Sequence, residues 1–273
     1  MIPISAIITT YNHPKWLEKT LWSYQAQNHP DFEVVVADDG SGEETKAVIE
    51  RMRSEVGFPI KHVWHADEGY RKCDILNKAT VAAQHEYLFY SDGDCLARQD
   101  LLSTHASLAE TGYFLSGAYF KLTLPVSQKL SQKDILSQKA FDVDYLQELG
   151  QPSSSKMMKL KHRGAFAKIL DGITPTKATW NGHGSSGWKK DILAVNGYNE
   201  EMKYGGQDRE LGERMMNNGI RTKQIRHRSC LLHLDHSRGY ATEDVIEKNK
   251  EIRRQVKEEK RAWTERGIDQ YLD

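Results

Sequence analysis

Short apolar runs alternate with amphipathic stretches throughout the first 95 residues. The runs ISAIIT, FEVVVA, IKHVWH and EYLFY are rich in β-branched or aromatic residues, and the first, which ends at Thr9, is apolar on both faces, as expected of a central parallel strand. Between the runs, apolar residues recur at helical spacing, as at Leu17, Leu21 and Tyr24. Four strands that alternate with three helices predict βαβ units in a right-handed parallel sheet.

The chain after residue 95 is less regular. A helix is predicted from about Arg98 to Glu110, and the apolar run YFLSGAYF at 113–120 predicts one further strand. Residues 121–178 are polar, rich in Lys and Gln and broken by GQPSSS, so we expect helical excursions and a mobile loop over the sheet. The stretch from residue 179 is rich in glycine and aromatic residues, which indicates tight backbone near a site.

Length and composition indicate a single domain. The 273 residues, 38% of them hydrophobic, can bury a substantial core, and no internal repeat divides them. We expect four segments within it. They are a first half at 1–120, a variable helical and loop segment at 121–178, a catalytic half at 179–240, and a highly charged, solvated helical tail at 241–273.

Charge and cysteine content restrict the function classes. Lys plus Arg and Asp plus Glu both number 38, so no global field would recruit nucleic acid or an anionic membrane, and any charge-driven function must be local. Cys73, Cys95 and Cys230 show no paired metal spacing and argue against a disulfide framework. The start MIPISAIITT lacks a basic leader, and no apolar run approaches the ~18 residues that span a bilayer. We therefore expect a soluble cytoplasmic protein.

Polar clusters follow all four predicted strands. The clusters TYN, ADDG, ADEGYRK and SDGD each begin where a strand ends. Open α/β sheets bind ligands at the carboxyl ends of their strands. The four clusters are therefore expected to converge on one site.

The run SDGD places two carboxylates, Asp92 and Asp94, one residue apart directly after a buried strand. Two close carboxylates repel each other unless a cation or a basic group lies between them. Hard oxygen ligands favour Mg²⁺ or Mn²⁺, ions that keep open positions for substrate phosphates. The alternative is a plain turn in which both residues accept backbone hydrogen bonds, since Asp-Gly is a common turn dipeptide.

Four motifs, in order, resemble one enzyme family. SAIITTYNHPKWLEKTLWSYQAQ, FEVVVADDGSGEET, SDGDC and KYGGQDRELGERM, spread over roughly residues 4–240, look like glycosyltransferase family 2. The stretch GYNEEMKYGGQDRELGERMMNNG with LLHLDHSR is similar to the carboxyl-terminal region of β-galactosyltransferases and of bacterial enzymes that build capsule and lipopolysaccharide chains. The resemblance implies the GT-A fold, an α/β fold with a Rossmann-like, mostly parallel central sheet flanked by helices and an acceptor-binding second half.

The resemblance also implies a UDP-sugar as the donor. Thr9, Tyr11 and Asp39 match the positions that hold the uracil and ribose of a nucleotide sugar. A tyrosine face can stack on a base, and a carboxylate can accept the uracil N3–H bond. Arg71 or Lys72 would reach the ribose or the diphosphate, and Lys72 is the better match.

The acidic turn and a late histidine would hold an ion. In the family, Asp92 contacts the ribose, Gly93 lies beside the nucleotide sugar, and Asp94 ligates the ion that bridges the diphosphate. The segment HLDHSR offers His233 and His236, and its HSR ending matches the metal-binding histidine of galactosyltransferases, which favours His236. Histidine beside a carboxylate favours Mn²⁺, with Mg²⁺ as the alternative.

Asp208 in YGGQDREL matches the family's general base. It would deprotonate the acceptor hydroxyl, which attacks the anomeric carbon opposite the diphosphate and inverts its configuration. An acid at a helix N-terminus is expected to stay ionised more readily, as a base must. The alternative is a helix N-cap, where Asp is favoured. Gln207 stands where the galactosyltransferase pattern has glutamate, which leaves the donor and acceptor preference open.

Three aromatic residues, Trp180, Trp188 and Tyr204, lie among glycines. Their faces are expected either to stack on sugars or to fill the core. The resemblance implies transfer of a hexose or N-acetylhexosamine to a hydroxyl of a glycan or lipid-linked oligosaccharide in bacterial surface polysaccharide synthesis. Peripheral contact with the cytosolic face of the inner membrane is a further expectation, and no nucleic-acid partner is expected.

Two other function classes stay open. One is a non-catalytic module that binds a sugar nucleotide or a glycan in the same pocket. The other is a sugar nucleotidyltransferase, which would be expected to show a glycine-rich phosphate loop soon after the first strand, whereas TTYNHPKW contains no glycine.

Overall fold

The computed structural model describes residues 1–162, 164–236 and 243–272. Arg163 of the variable segment, the HSR ending from Ser237 with the start of the tail to Thr242, and Asp273 lie outside the described residues. The strands are β1 Ile4–Thr10, β2 Phe32–Asp38, β3 Ile60–Trp64, β4 Tyr87–Asp92, β5 Cys95–Leu96, β6 Tyr113–Ser116, β7 Ala118–Lys121, β8 Ser185–Trp188, β9 Arg221–Gln224 and β10 Cys230–His233.

The helices alternate with the strands in the first half and dominate the second. They are α1 Pro14–Gln25, α2 Glu43–Glu55, α3 Lys72–Ala82, α4 Leu101–Leu108, α5 Leu124–Lys129, α6 Gln132–Leu136, α7 Val143–Glu148, α8 Met158–Lys161, α9 Gly164–Ile173, α10 Lys189–Leu193, α11 Gln207–Asn217 and α12 Glu243–Glu258. Short 3₁₀ helices span Lys139–Phe141, Ser155–Met157 and Ile268–Tyr271. The four strands and three helices predicted for the first half are confirmed.

A seven-stranded sheet forms the central layer, in the order β3-β2-β1-β4-β8-β6-β9. Its neighbouring strands run parallel except at β8, which is antiparallel to both β4 and β6. A second sheet of three strands, β5-β10-β7, lies beside it. The predicted mostly parallel α/β architecture is confirmed.

Apolar side chains cover both faces of the large sheet. Along β1, Ile4, Ala6 and Ile8 pack with α1 and α2 on one face, while Ile7 packs towards α3, α10 and α11 on the other. Because both faces are buried, the strand sequences are almost continuously apolar.

The run at 113–120 is two strands, not the single strand predicted. It divides at Gly117, so that β6 joins the large sheet and β7 the small one. A Cβ at Gly117 would lie 2.8 Å from both Gly184 O and Ser229 Oγ, so the backbone passes from one sheet to the other only where no side chain is present.

The segment 121–178 forms the helical excursions that were expected, and these helices are packed into a core. Its buried apolar residues form a third core cluster with β10 and with Leu96 of β5. Helices of four to six residues, such as α5 to α8, are too short to show a clear 3.6-residue period, which is why the pattern looked irregular.

The charged tail is less solvated than predicted. Helix α12 buries Asn249, whose Nδ2 donates to the carbonyl oxygens of Lys203, Tyr204 and Gly205 at 3.0, 3.0 and 2.9 Å. The tail therefore fixes the glycine-rich loop that precedes α11. Within the described ranges, none of the helices combines the length and apolar composition that crossing a bilayer requires.

Helix α11 is anchored by a fully buried ion pair. Arg214 Nε donates to Glu210 Oε1 at 2.7 Å, and Arg214 Nη2 donates to Glu210 Oε2 at 2.8 Å and to Gly197 O at 2.6 Å. Both side chains are completely buried. The pair fixes α11 to the loop after α10.

Removal of Arg214 should destabilise the fold strongly. Arg214→Met leaves Glu210 as an uncompensated buried charge, so we expect the free energy of unfolding in urea to fall by about 3 kcal/mol or more. The matched control is Arg254→Met, because Arg254 pairs with Glu251 and Glu258 on the exposed side of α12. Equal unfolding midpoints for the two variants would contradict the anchoring role of Arg214.

Candidate active site

The carboxyl edge of the large sheet opens into a cavity of about 1050 Å³. Its walls come from the ends of β1, β2 and β4, the start of α3, the small sheet and the first turn of α11. The polar clusters at the strand ends therefore converge as predicted. They contribute Thr9, Tyr11, Asn12, Asp39, Gly69, Tyr70, Lys72, Asp92, Gly93 and Asp94.

Tyr11 and Asp39 line the cavity beyond the ends of β1 and β2. The buried Asp39 carboxylate accepts hydrogen bonds from His65 Nε2 at 2.8 Å and from the backbone N–H of Arg71 at 3.1 Å. The Tyr11 hydroxyl donates to Asp67 Oδ2 at 2.8 Å, and 44% of Tyr11 is exposed. A fixed carboxylate beside an exposed aromatic ring is suited to hold a nucleobase.

Asp92 is paired with a lysine. Its Oδ1 accepts from Thr9 Oγ1 at 2.9 Å and from Lys72 Nζ at 2.6 Å. Burial lowers the pKa of Lys72, but the charges of Asp92 and Asp208 outweigh burial and raise that pKa well above its ordinary value. Lys72 therefore remains a cation close to both carboxylates.

Asp94 lies among histidines of the small sheet and its edge. Its Oδ2 is 2.8 Å from His236 Nε2 and 3.7 Å from His233 Nε2. The two imidazole rings stack with centroids 5.6 Å apart, and the ring of His13 lies 5.2 Å from that of His236. Burial raises the pKa of Asp94, but the hydrogen bond from His236 and the charge of His233 outweigh burial. Together they lower the pKa to about 2.

The donors around Asp94 fit a divalent cation. Ligand atoms of Asp94, Cys95 and His233 all lie within 4.8 Å of one another, and His236 contacts the same carboxylate. Cys95 is fully buried, and burial raises the pKa of its thiol well above the ordinary value, which disfavours a thiolate ligand. One carboxylate and two imidazoles suit Mn²⁺ better than Mg²⁺.

Gly93 lets the acidic turn pass close to β1. Its N–H donates to Thr9 O at 2.7 Å, and a Cβ at this position would lie 2.7 Å from the same oxygen. Any side chain here would displace the turn that carries Asp92 and Asp94. The requirement for glycine is therefore steric.

Asp208 lies in the first turn of α11, one residue inside the helix. The N-cap is Gly206, so the structure does not support Asp208 as the cap. Burial raises the pKa of Asp208, and the charge of Lys72 lowers it. The net direction is upward, contrary to the expectation that the helix N-terminus would keep this acid more readily ionised, because lost solvation outweighs the charge of Lys72 and the backbone hydrogen bonds.

The backbone opposite Asp208 is also glycine. A Cβ at Gly182 would lie 2.8 Å from Asp208 Oδ1 and 3.1 Å from Oδ2. The carboxylate thus rests against the loop between Trp180 and β8, and its remaining surface lines the cavity.

Several predicted residues lie elsewhere or serve the core. Arg71 pairs with Glu68 and Asp74, and its side chain does not appear in the cavity wall of the described residues. Trp180 is fully buried and donates to Tyr198 Oη at 3.0 Å, whereas Trp188 donates to Glu110 O outside the cavity. Tyr204 lines the cavity.

Sequence reasoning missed other cavity residues. Tyr119 of β7 lies with its ring centroid 4.3 Å from that of His183, and His13 follows β1 in TYNHP. Burial lowers the pKa of His183 to about 4, so its imidazole is neutral at physiological pH. His183 lies between two glycines in NGHGSS, and that spacing was the available signal.

The first part of the chain matches a model of a known protein family. A sequence model described as Glycosyl transferase family 2 matches residues 5–160, more than half of the chain. The match includes the four strand ends whose polar clusters line the cavity.

Curated relatives are bacterial glycosyltransferases by name. The chain is 26% identical over 236 residues to chondroitin synthase of Escherichia coli, covering 81% of this chain and 33% of that protein. It is 29% identical over 113 residues to the GalNAc(5)-diNAcBac-PP-undecaprenol beta-1,3-glucosyltransferase of Campylobacter jejuni, covering 41% of this chain and 36% of that protein. The chain thus spans about a third of the length of these relatives.

Solved structures share the fold. Residues 1–349 of S. aureus TarS in complex with UDP-GlcNAc align with a TM-score of 0.61 and 17% identity, over 92% of this chain and 64% of that chain. The mannosyltransferase PcManGT from Pyrobaculum calidifontis, in complex with GDP-Man and Mn²⁺, aligns with a TM-score of 0.60 and 19% identity, over 88% of this chain and 59% of that chain. The GT-A-like fold is confirmed, and with the family model matched over more than half of its length, this chain belongs to glycosyltransferase family 2.

Proposed function

We propose that this chain is an inverting, metal-dependent glycosyltransferase that uses a UDP-sugar. The observation that carries the proposal is the convergence of Asp92, Asp94, Asp208 and Lys72 on one cavity beside Tyr11 and Asp39. The transferred group is a hexose or N-acetylhexosamine, and the acceptor is a hydroxyl of a glycan or lipid-linked oligosaccharide. We assign donor binding to residues 1–120 and acceptor binding with catalysis to residues 179–240 of one domain.

The nucleoside end of the cavity would orient the donor. Asp39 is held by His65 and the Arg71 backbone, so one carboxylate oxygen can accept the uracil N3–H without reorganisation. The exposed ring of Tyr11 can stack on the base. Asp92, already bonded to Thr9, lies within the same wall and can accept from the ribose hydroxyls.

The acidic end would hold the diphosphate. Asp94 with His236, and His233 beside them, would ligate Mn²⁺, with Mg²⁺ as the weaker alternative. When bound, this ion offsets the negative charge of the departing nucleoside diphosphate. Lys72 adds a second positive charge in the same wall. Its Nζ, which donates to Asp92, could donate to a phosphate oxygen instead.

Asp208 is the general base of the proposed reaction. Its raised pKa makes it a stronger proton acceptor than an ordinary aspartate. The positive charge of Lys72 partly offsets the negative charge of the ionised carboxylate. The carboxylate would take the proton of the acceptor hydroxyl as that oxygen bonds to the anomeric carbon and the bond to the diphosphate breaks. A single displacement of this kind inverts the anomeric configuration.

The alternatives are less well supported. A non-catalytic binding module would have no use for a half-buried carboxylate with a raised pKa in the wall of the cavity. A nucleotidyltransferase is disfavoured because β1 leads through Tyr11 and Asn12 into α1 without a glycine-rich phosphate loop.

We also propose a role in bacterial surface polysaccharide synthesis at the cytosolic side of the membrane. The support comes from the names of relatives, since the C. jejuni protein is named for an undecaprenol-linked oligosaccharide and other relatives are named TarS, a poly(ribitol-phosphate) beta-N-acetylglucosaminyltransferase. The identity of the transferred sugar is a matter for a panel of UDP-sugars.

Binding of UDP should depend on metal and on Asp94. We expect calorimetric titration to show UDP binding with Mn²⁺, and at least about 100-fold weaker binding in EDTA or after Asp94→Ala, because the ion loses its carboxylate ligand. Asp144→Ala is the control, since that carboxylate is 81% exposed outside the cavity. UDP binding of equal strength without metal would mean that Asp92 and Asp94 are turn residues only.

Transfer should depend on Asp208 and nucleotide binding should not. Asp208→Asn keeps the shape of the side chain but cannot accept a proton, so we expect the transfer rate to fall at least about 100-fold while UDP affinity in Mn²⁺ is unchanged. Full transfer activity in this variant would remove Asp208 from the role of base.

The same substitution should stabilise the protein. Because the folded state raises the pKa of Asp208, the ionised carboxylate costs stability at neutral pH, and this cost fades as the pH falls through the raised pKa towards the ordinary value. Asp208→Asn should therefore raise the free energy of unfolding at neutral pH and lose that advantage in acid, whereas Asp144→Asn should change neither. A destabilised Asp208→Asn protein at neutral pH would contradict the assigned pKa direction.

A further inference from the structure

Helix α9 carries an exposed apolar stripe. Phe166, Ile169 and Ile173 are 58, 58 and 69% exposed. Their spacing of three and four residues places them on one side of the helix. Met158 of α8, six residues before α9 begins, is also exposed, at 48%.

The opposite side of α9 is fixed to the protein. Ala167 and Asp171 are buried, and Asp171 accepts hydrogen bonds from Arg228 Nε at 2.6 Å and from the His227 backbone N–H at 2.8 Å. Thr174 Oγ1, just beyond the helix, lies 3.2 Å from His227 Nε2. The apolar stripe therefore points away from the body of the protein.

Exposed apolar side chains are more concentrated around this stripe than on the rest of the described surface. Of the thirteen large apolar side chains that are exposed among the described residues, four fall within positions 158–173. Scattered exposed apolar residues need no explanation, but a contiguous group of this kind marks an interaction surface.

The same segment carries a local excess of positive charge. Residues 156–177 contain five lysines and one arginine against a single acid, Asp171, which already pairs with Arg228. Lys156, Lys161 and Lys168 are exposed. The chain as a whole has no net charge, so this excess is local. Lysine is depleted from the cores of protein interfaces, which favours a membrane over a protein partner.

We propose that α9 docks on an anionic lipid bilayer, with Phe166, Ile169 and Ile173 in the interface and the lysines against the headgroups. A helix with one apolar side and basic surroundings is the type that lies in the plane of a membrane interface. Each lysine near an anionic leaflet adds to the attraction, and high salt weakens it.

The docking surface adjoins the cavity. Lys159, Thr176 and Lys177, which flank α9 in the chain, line the cavity on the side away from Asp39. The order of the strands in the large sheet shows which side this is. Arg226, in the same wall, comes after edge strand β9, whereas Asp39 comes after β2 near the other edge. Insofar as the proposed function holds, docking brings the acceptor side of the cavity to the membrane, where a lipid-linked acceptor is found.

Vesicle binding tests the proposal. We expect the intact chain to co-sediment with vesicles of phosphatidylcholine and phosphatidylglycerol, and more weakly with phosphatidylcholine alone. Phe166→Ser with Ile169→Ser and Ile173→Ser should weaken partitioning about tenfold or more. The matched control is Met216→Ser with Trp263→Ser and Leu272→Ser, which removes three exposed apolar side chains outside this segment and the cavity and should bind as the parent does.

A second variant separates the charge from the apolar contact. Lys156→Gln with Lys161→Gln and Lys168→Gln should remove most of the preference for anionic over neutral vesicles, while Lys15→Gln with Lys133→Gln and Lys190→Gln, which neutralises three exposed lysines elsewhere, should keep it. Circular dichroism of each variant serves as the check that it is folded.

Three results would overturn the proposal. The first is failure of the parent chain to bind anionic vesicles, and the second is equal binding by the serine variant and its control. The third is a parent chain that binds no vesicles but is a dimer in light scattering, while the serine variant is a monomer. The last result would make α9 an interface between two copies. UDP titration with Mn²⁺ on the same samples separates this inference from the proposed function, since UDP binding should survive in every variant.

Discussion

The site depends on neutralising the carboxylates that the sheet edge brings together. The positive charge of Lys72, at the start of α3, lies close to Asp92 and Asp208, while Asp94 has His233 of the small sheet and His236 just beyond it as partners. In that sheet β10 runs antiparallel to β5 with His233 opposite Cys95, and Leu234 N–H donates to Asp94 O at 2.8 Å. Strand register therefore places His233 beside the aspartate, and His236 reaches the same carboxylate from three residues beyond the end of β10.

The first half of the fold was predictable because local and global signals agree there. Along β1, β2 and β4 the residues are apolar on both faces, each strand ends in a polar cluster, and the helices between them have a clear apolar side. Parallel topology then dictates that the clusters meet at one edge. Convergence of Asp39, Asp92 and Lys72 thus followed from order along the chain alone, whereas the individual roles came from the family resemblance.

The second half was harder because its key features are polar or lie at single residues. Strand β8 contains Ser185, Ser186 and Gly187, which are poor strand formers, yet Ser186 Oγ bonds with Tyr87 Oη at 2.8 Å and His105 Nδ1 at 2.7 Å and is buried. Those bonds span more than eighty residues, so no local pattern reports them. The division of the run at Gly117 likewise depends on Gly184 and Ser229, which approach only in the folded chain.

Rigid support on one side of Asp208 explains how a poorly solvated acid is tolerated there. Trp180 fills the core beneath the cavity and lies close to Gly212. A Cβ added at Gly212 would lie 2.6 Å from the Cβ of Trp180. Arg214 and Glu210 fix the following turn of α11. A helix held this firmly cannot move to hydrate the carboxylate, so the raised pKa is a consequence of packing. The packing around Asp208 therefore sets its proton affinity, the property on which its proposed role as the base depends.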